Sequence, residues 1–197
     1  SKLNNNINQN QTNIAQNKNI EPTNEFLELS IVNEMIQIIE QIDAKCKGKI
    51  GEDIVHERVE QLAYAKLLCN IYNKDITFLI KAYANLGIAY LEIEYYEQAQ
   101  EHLLNAFKLN ENLSQEDNLN MKEFQIKILV NLSKCYLEND KLEAAKQISE
   151  RSLVMNQTLF GPEHVSNADI YYVLSRVNTK LKNYEAALSD LTKMFGI

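Results

Sequence analysis

From Phe26 onward the apolar residues fall at helical spacing, in blocks separated by short polar turns. Phe26, Leu29, Ile31, Val32, Met35, Ile38, Ile39 and Ile42 trace one broad face, which predicts a helix closed by Gly48 and Gly51. Lys45, Lys47 and Lys49 suit the negative end of that helix. A second helix follows, with Val55, Val59, Leu62, Ala63, Lys66, Leu67, Cys69, Asn70 and Ile71 on one face. Three helix pairs come next: Ile76 to Glu92 with Tyr95 to Asn112, Asn120 to Glu138 with Lys141 to Leu159, and His164 to Leu181 with Tyr184 to Phe195. The turns Ile93-Glu94, Asn139-Asp140 and Lys182-Asn183 occupy equivalent places in them. Ser114 and Asp117 have the spacing of a capping box at the entry to the second pair.

The three pairs share one pattern. Tyr83-x-x-Leu86-Gly87-x-x-Tyr90 precedes Ala99, Leu103 and Ala106. Leu129-x-x-Leu132-Ser133-x-x-Tyr136 precedes Ala145, Ser149 and Ser152, and Tyr171-x-x-Leu174-Ser175-x-x-Asn178 precedes Ala187, Leu191 and Met194. Small residues stand where two helices must touch, large ones where the next helix is gripped. A chain that repeats one helix-turn-helix unit is a stacked array, and such arrays hold partners instead of doing chemistry. The predicted fold class is therefore all-α, a solenoid of stacked antiparallel helix pairs. Its expected organisation is an Asn/Gln-rich disordered tail (residues 1–24), a divergent first helix pair or N-terminal cap (25–73), and repeats over 76–112, 120–159 and 164–197. The tail is too poor in apolar residues to offset its ordering entropy.

Composition narrows the function. Hydrophobic residues make up 45%, with 5 Gly, 2 Pro and no Trp, which suits long helices and a real core. The net charge of -7 gives no electrostatic reason to bind nucleic acid or an anionic membrane, and no apolar run has the length of a span. No basic-then-apolar start resembles a signal peptide. Cys46, Cys69 and Cys135 lie apart within helical patterns, as buried free thiols of a reducing compartment would. Without a secretory signal the N-x-S/T triplets at Asn10, Asn112, Asn131 and Asn156 follow from an Asn-rich sequence.

Signatures of catalysis are missing. His56, His102 and His164 are scattered, and His56-Glu57 is not followed by the second His of a zinc-binding helix. No Gly-rich phosphate loop, nucleophile elbow or paired Cys is found. The expectation is a non-enzyme with no cofactor and no metal.

The repeated offsets resemble the tetratricopeptide repeat, whose large-x-x-Leu-Gly/Ala-x-x-Tyr helix A and Ala-x-x-x-large-x-x-Ala helix B match the first unit throughout. The resemblance implies a right-handed solenoid. Leu86 to Leu132 is 46 residues and Leu132 to Leu174 is 42, longer than the common unit of about 34. That length resembles the kinesin-light-chain subclass, and Leu159-Phe160-Gly161-Pro162-Glu163-His164-Val165 is similar to its Leu-Gly-Pro-Asp-His-Pro linker, with Val for the last Pro. Gly161 is placed to end a helix in the left-handed region and Pro162 to prevent its continuation. Val59 to Asn110 is also similar to the tetratricopeptide repeat protein 23 family, which is linked to cilia.

The resemblance implies a concave groove lined by the A helices. Its positions here give Lys81, Asn85, Ile88, Lys127, Val130, Asn131, Lys134, Tyr172 and Arg176 as the candidate partner-binding residues. Asn85 and Asn131 stand where kinesin-light-chain-like arrays hydrogen-bond a peptide backbone. Ile88, Val130 and Tyr172 with Lys134 and Arg176 suit a peptide with apolar anchors and an acidic residue. The carboxylate clamp of chaperone-tail binders is replaced by Ala84, Ile88, Asn131, Asp169 and Val173, which argues against that ligand. Tyr184, Ala187, Leu188, Leu191 and Met194 form an apolar face on the last helix, suited to self-association or to a larger assembly.

The function expected is a protein-interaction scaffold in the cytoplasm, with a cilium or the cytoskeleton as its setting. Its partners would be proteins or peptides, not nucleic acid or membrane. The alternatives are a kinesin-light-chain-like cargo adaptor, for which the 26–47 helix is too short a coiled coil, and a non-catalytic subunit of a larger enzyme complex.

Overall fold

The computed structural model describes residues 24–72, 75–113 and 119–197, and side chains from residue 27. The Asn/Gln-rich tail up to residue 23 and the Ser114/Asp117 capping box lie outside the described residues. Eight α-helices and no strands occur among those described: α1 Asn24–Cys46, α2 Glu52–Asn70, α3 Thr77–Glu92, α4 Tyr96–Leu113, α5 Leu119–Glu138, α6 Leu142–Phe160, α7 Asn167–Lys180 and α8 Tyr184–Gly196. The chain divides into two units, residues 1–36 and 37–197, with the boundary inside α1. In the first unit Val32 is buried while Leu27, Leu29 and Ile31 are exposed, so the apolar face of α1 is narrower than its sequence suggests.

In the second unit each helix from α2 onward packs on the next in sequence, and α5 also packs on both α3 and α7. The result is a two-layer, all-α solenoid with α3, α5 and α7 as one layer. Its core is made of patches that join neighbouring hairpins. Ile80, Ala84, Ala99, Leu103 and Ala106 pack with Ile128, Leu132 and Cys135. Ile126 and Val130 of α5 pack with Ile170, Tyr171 and Leu174 of α7. Leu137 and Ala145 pack with Val173 and Val177.

The three short turns are built identically. Tyr95 N–H donates to Tyr90 O at 2.9 Å, Lys141 N–H to Tyr136 O at 2.8 Å, and Asn183 N–H to Asn178 O at 2.8 Å. These are the wide bonds of a Schellman ending, which needs one residue at positive φ. That residue is Glu94 (φ 65), Asp140 (φ 54) and Lys182 (φ 62), at a site that usually takes Gly. Within the first repeat Gly87 is required by contact, because a Cβ there would stand 2.7 Å from Leu103 Cγ and 3.1 Å from the Ala99 carbonyl. In the next two repeats Ser133 and Ser175 occupy this position, each returning its hydroxyl to a carbonyl of its own helix.

Four local expectations are corrected. On α2 the buried positions are Ile54, Val55, Gln61, Leu62, Ala65 and Leu68, whereas Val59, Leu67 and Ile71 are exposed. The sequence hid this face because polar Arg58 and Gln61 occupy it. Cys46 and Cys135 are buried, but Cys69 is only partly so; burial pushes the Cys135 thiol up to about 12, which keeps it protonated and unreactive. Gly161 has positive φ (97), but its ψ of 163 lies outside the left-handed helical region. The linker there is instead held by side chains. Buried Asn156 donates to Asn167 Oδ1 at 2.8 Å, and Asn167 donates to the carbonyls of Gly161 (2.9 Å) and Pro162 (3.1 Å). His164 stacks on Phe160 with ring centroids 4.8 Å apart. The linker runs to Ser166, so α7 begins at Asn167 and not near His164.

Candidate functional site

Two clefts lie against the α3–α5–α7 layer. The first, about 520 Å³, is walled by α3, by the start of α5 and by the α1–α2 turn, with Lys47, Lys49, Ile50, Lys81, Asn85, Ile88 and Lys127 among its lining. A second cleft, about 680 Å³, runs between α5 and the linker to α7 and is lined by Ile126, Lys127, Val130, Asn131, Lys134, Phe160, His164 and Asp169. Ile88, Glu92 and Lys127 line both, so the two form one continuous surface.

Seven of the nine candidate residues thus come together. Tyr172 and Arg176 do not: they line a separate hollow of about 330 Å³ with Ser175, Thr179, Lys180 and Leu191. Repeat equivalence explains the split. Tyr172 corresponds to Ala84 and Val130, which are 0% and 9% exposed because a following helix covers them; no described helix follows α7 on that side, and Tyr172 is 48% exposed. Arg176 is further engaged by Glu138 at 2.7 Å.

The two asparagines behave differently from each other. Asn85 Nδ2 donates to Asp43 Oδ1 at 3.1 Å. Asn131 Nδ2 is turned back onto the Lys127 carbonyl at 2.9 Å. In each the amide nitrogen donates one bond within the protein, and the amide oxygen, with no hydrogen bond of its own, is open to a ligand. Ala84 and Val173, which replace clamp residues of chaperone-tail binders, are buried and present nothing to the groove.

Sequence reasoning missed the polar knot behind the first cleft. Asp43 Oδ1 accepts from Arg58, from Gln61 Nε2 at 2.8 Å and from Asn85, while Arg58 also donates to Gln61 Oε1 at 2.8 Å. This ties the end of α1, α2 and α3 together and fixes the wall that carries Lys47 and Lys49. The only signal was Gly48 and Gly51 bracketing a basic turn. At the cleft's other side Glu92 keeps solvent contact, yet partial burial raises its carboxyl above the usual range against the pull of Arg58 and Lys127.

The surface offers a partly apolar floor and exposed charge. Among the described residues no group of His, Cys, Asp and Glu is placed to hold a metal ion, and no helix is long and apolar enough to cross a membrane. A layered stack of helix hairpins with a continuous lined groove defines a repeat scaffold. Family models described as tetratricopeptide repeat match residues 80–113 and 124–194, together more than half of the chain. The chain belongs to the tetratricopeptide repeat family, whose arrays are protein-interaction scaffolds.

Among solved structures the chain is similar to BtubC (BKLC) from P. vanneervenii, at 17% identity and a TM-score of 0.57, covering 84% of this chain and 71% of that one. It is also similar to the nearly identical TPR-like repeats of a Podosopora anserina protein described as a kinesin light chain, at 14% identity and a TM-score of 0.53, covering 87% and 89%. At such identities the likeness speaks to the fold. No curated protein matches the chain.

Proposed function

We propose that this chain binds a partner polypeptide segment along the two joined clefts, acting as a non-catalytic scaffold. The observation that carries this reading is their continuity through Ile88, Glu92 and Lys127. It gives an extended or helical segment an unbroken path with apolar contacts at the partly exposed Ile88 and Phe160 and a free amide oxygen on Asn85 and Asn131. A cytoskeletal or ciliary setting is supported by the kinesin-light-chain character of the Phe160–His164 linker and by the resemblance of Val59–Asn110 to a cilium-linked family.

A photo-crosslinking side chain at Ile88, with one at exposed Lys108 of α4 as control, tests this in cells. One protein crosslinked at Ile88 and not at Lys108, whose affinity falls about tenfold with Ile88→Arg, is the expected result. A cytoskeletal protein among the products would fix the setting. Equal crosslinking at both positions, or none at Ile88, overturns the groove reading.

A second contact surface is supported by α8. Tyr184, Leu188 and Phe195 are 65%, 67% and 82% exposed. The residue equivalent to Leu188 in the first repeat is Gln100, which Lys141 of the next hairpin contacts at 2.9 Å. The same position in the last repeat is apolar and uncovered, so we place there a stacking contact with another helix pair. Light scattering across concentration tests self-association: Leu188→Glu should lower the measured mass, and a monomer at all concentrations counts against it.

A further inference from the structure

The groove is electrically polarised, although the chain as a whole is acidic. Of the first cleft's charged lining, Arg58 and Asp43 cancel as an ion pair. What remains is Lys47, Lys49, Lys81 and Lys127 against the single carboxylate of Glu92. All four lysines are exposed, and none makes an ion pair among the described residues. Four unpaired cations converge on one cleft of a chain whose net charge is -7.

The second cleft has the opposite bias. Beyond the shared Glu92 and Lys127, it carries Glu123 and Asp169 against Lys134. Ile88, partly exposed, lines both clefts. Exposed charges of one sign in a cleft with low-dielectric walls focus the local potential and select the complementary charge.

We propose that the partner segment is itself charge-polarised: an acidic run seated among Lys47, Lys49, Lys81 and Lys127, apolar residues over Ile88, and a basic run against Glu123 and Asp169. This rests on the groove reading above and adds to it the chemistry of the partner and the end at which each charge sits. The α1–α2 turn is then a specificity element, because two of the four lysines come from it and not from the repeats. Its position is set by the knot of Asp43, Arg58, Gln61 and Asn85, which leaves the lysines free for a ligand.

The test uses the full chain and synthetic peptides of identical composition. In one pair an acidic block, a short apolar block and a basic block follow in either chain direction; in the control the same charges alternate. A block peptide is expected to bind about tenfold more tightly than the alternating one, by fluorescence anisotropy at low salt, with the preference shrinking as salt is raised. Lys47→Glu with Lys49→Glu should remove the preference, and so should Glu123→Lys with Asp169→Lys. These residues are exposed, so circular dichroism should show unchanged helicity in both variants. Block and alternating peptides that bind equally, yet are both displaced by Ile88→Arg, overturn the polarity and leave the groove reading standing. Binding that Ile88→Arg does not touch overturns both.

Discussion

The first and third repeats put different chemistry at the same two places. In the first, Tyr90 of α3 stacks on His102 of α4, with ring centroids 5.5 Å apart and planes 8° from parallel. In the third, the equivalent residues are Asn178 and Asp190, and Asn178 Nδ2 donates to Asp190 Oδ2 at 2.7 Å in a buried setting. The middle repeat has Tyr136 and Ile148, both packed against the core shared with the first. Where helix A meets helix B, the hairpin therefore needs a filled volume, and it accepts a stack, an apolar contact or a hydrogen bond to fill it. The three are not equally robust. A stacked ring that loses its partner keeps its own burial, whereas a buried amide that loses its acceptor keeps an unpaid desolvation cost.

That difference is most sharply broken at Asp190. Asp190→Ala strands Asn178 Nδ2 in a pocket where Asn178 Oδ1 already lacks a partner. The expected loss is about 2–3 kcal/mol in urea unfolding, as for a charge-assisted bond whose partner stays buried. Pairing it with Asn178→Ala should cost less than the sum of the single changes, since the orphan is removed as well. His102→Ala, by contrast, removes a ring from an otherwise apolar stack and should cost clearly less. An Asp190→Ala loss no larger than that of His102→Ala would mean that the hydrogen bond contributes nothing beyond filling space.

A second comparison concerns the close approach of the two helices. Gly87 faces Leu103 in the first repeat, and the equivalent pair in the second is Ser133 and Ser149, both buried. The first helix has gained a side chain where the second has lost a large one. Gly87→Ala should destabilise by about 1–2 kcal/mol, because overpacking against Leu103 and the Ala99 carbonyl outweighs the helix propensity gained. Ser133→Ala deletes only a hydroxyl bonded to its own helix and should fall within about 1 kcal/mol of the parent. Copying the second repeat into the first, as Gly87→Ser with Leu103→Ser, should show favourable coupling in a double-mutant cycle. Additivity there would mean that the two positions do not share one volume.

These comparisons also mark what was legible in the sequence. The repeat, its helix pairs and its turns could be read from Leu86, Leu132, Leu174 and their neighbours, because apolar periodicity reports burial directly. Where polar side chains do the packing, periodicity is silent. Arg58 and Gln61 concealed the true face of α2, and Asn156 with Asn167 concealed how the Phe160–Ser166 linker is held. Glu94, Asp140 and Lys182 hid their positive φ, since none is the Gly that such a site usually takes. At the candidate site, counting along the A helices gathered the residues of α3 and α5. It could not show that Tyr172 and Arg176 belong to a different hollow, nor that Lys47 and Lys49 enter from outside the repeats. Position along a helix is local information, and which neighbour covers a position is not.

The smallest expected effect returns to Tyr90 and His102, as a dependence of stability on pH. Burial holds the His102 imidazole below its ordinary value of 6.5; nearby Lys66 pushes the same way, and Glu101 opposes them. The Tyr83 and Tyr90 rings flank it, and its Nδ1 is buried without a partner. The folded state thus prefers the neutral ring. Above 6.5 both folded and unfolded chains carry it neutral, and stability from this group is constant. As pH falls below 6.5 the unfolded chain takes up the proton first, so stability declines until the folded-state value is passed. The third repeat has no histidine at this place and should contribute no such slope near neutrality. Urea midpoints measured from about pH 8 to about pH 5 should therefore fall in the parent and fall less in His102→Phe, which keeps the stack and removes the titration. Parallel curves for the two proteins would show that the ring is solvated enough to titrate freely.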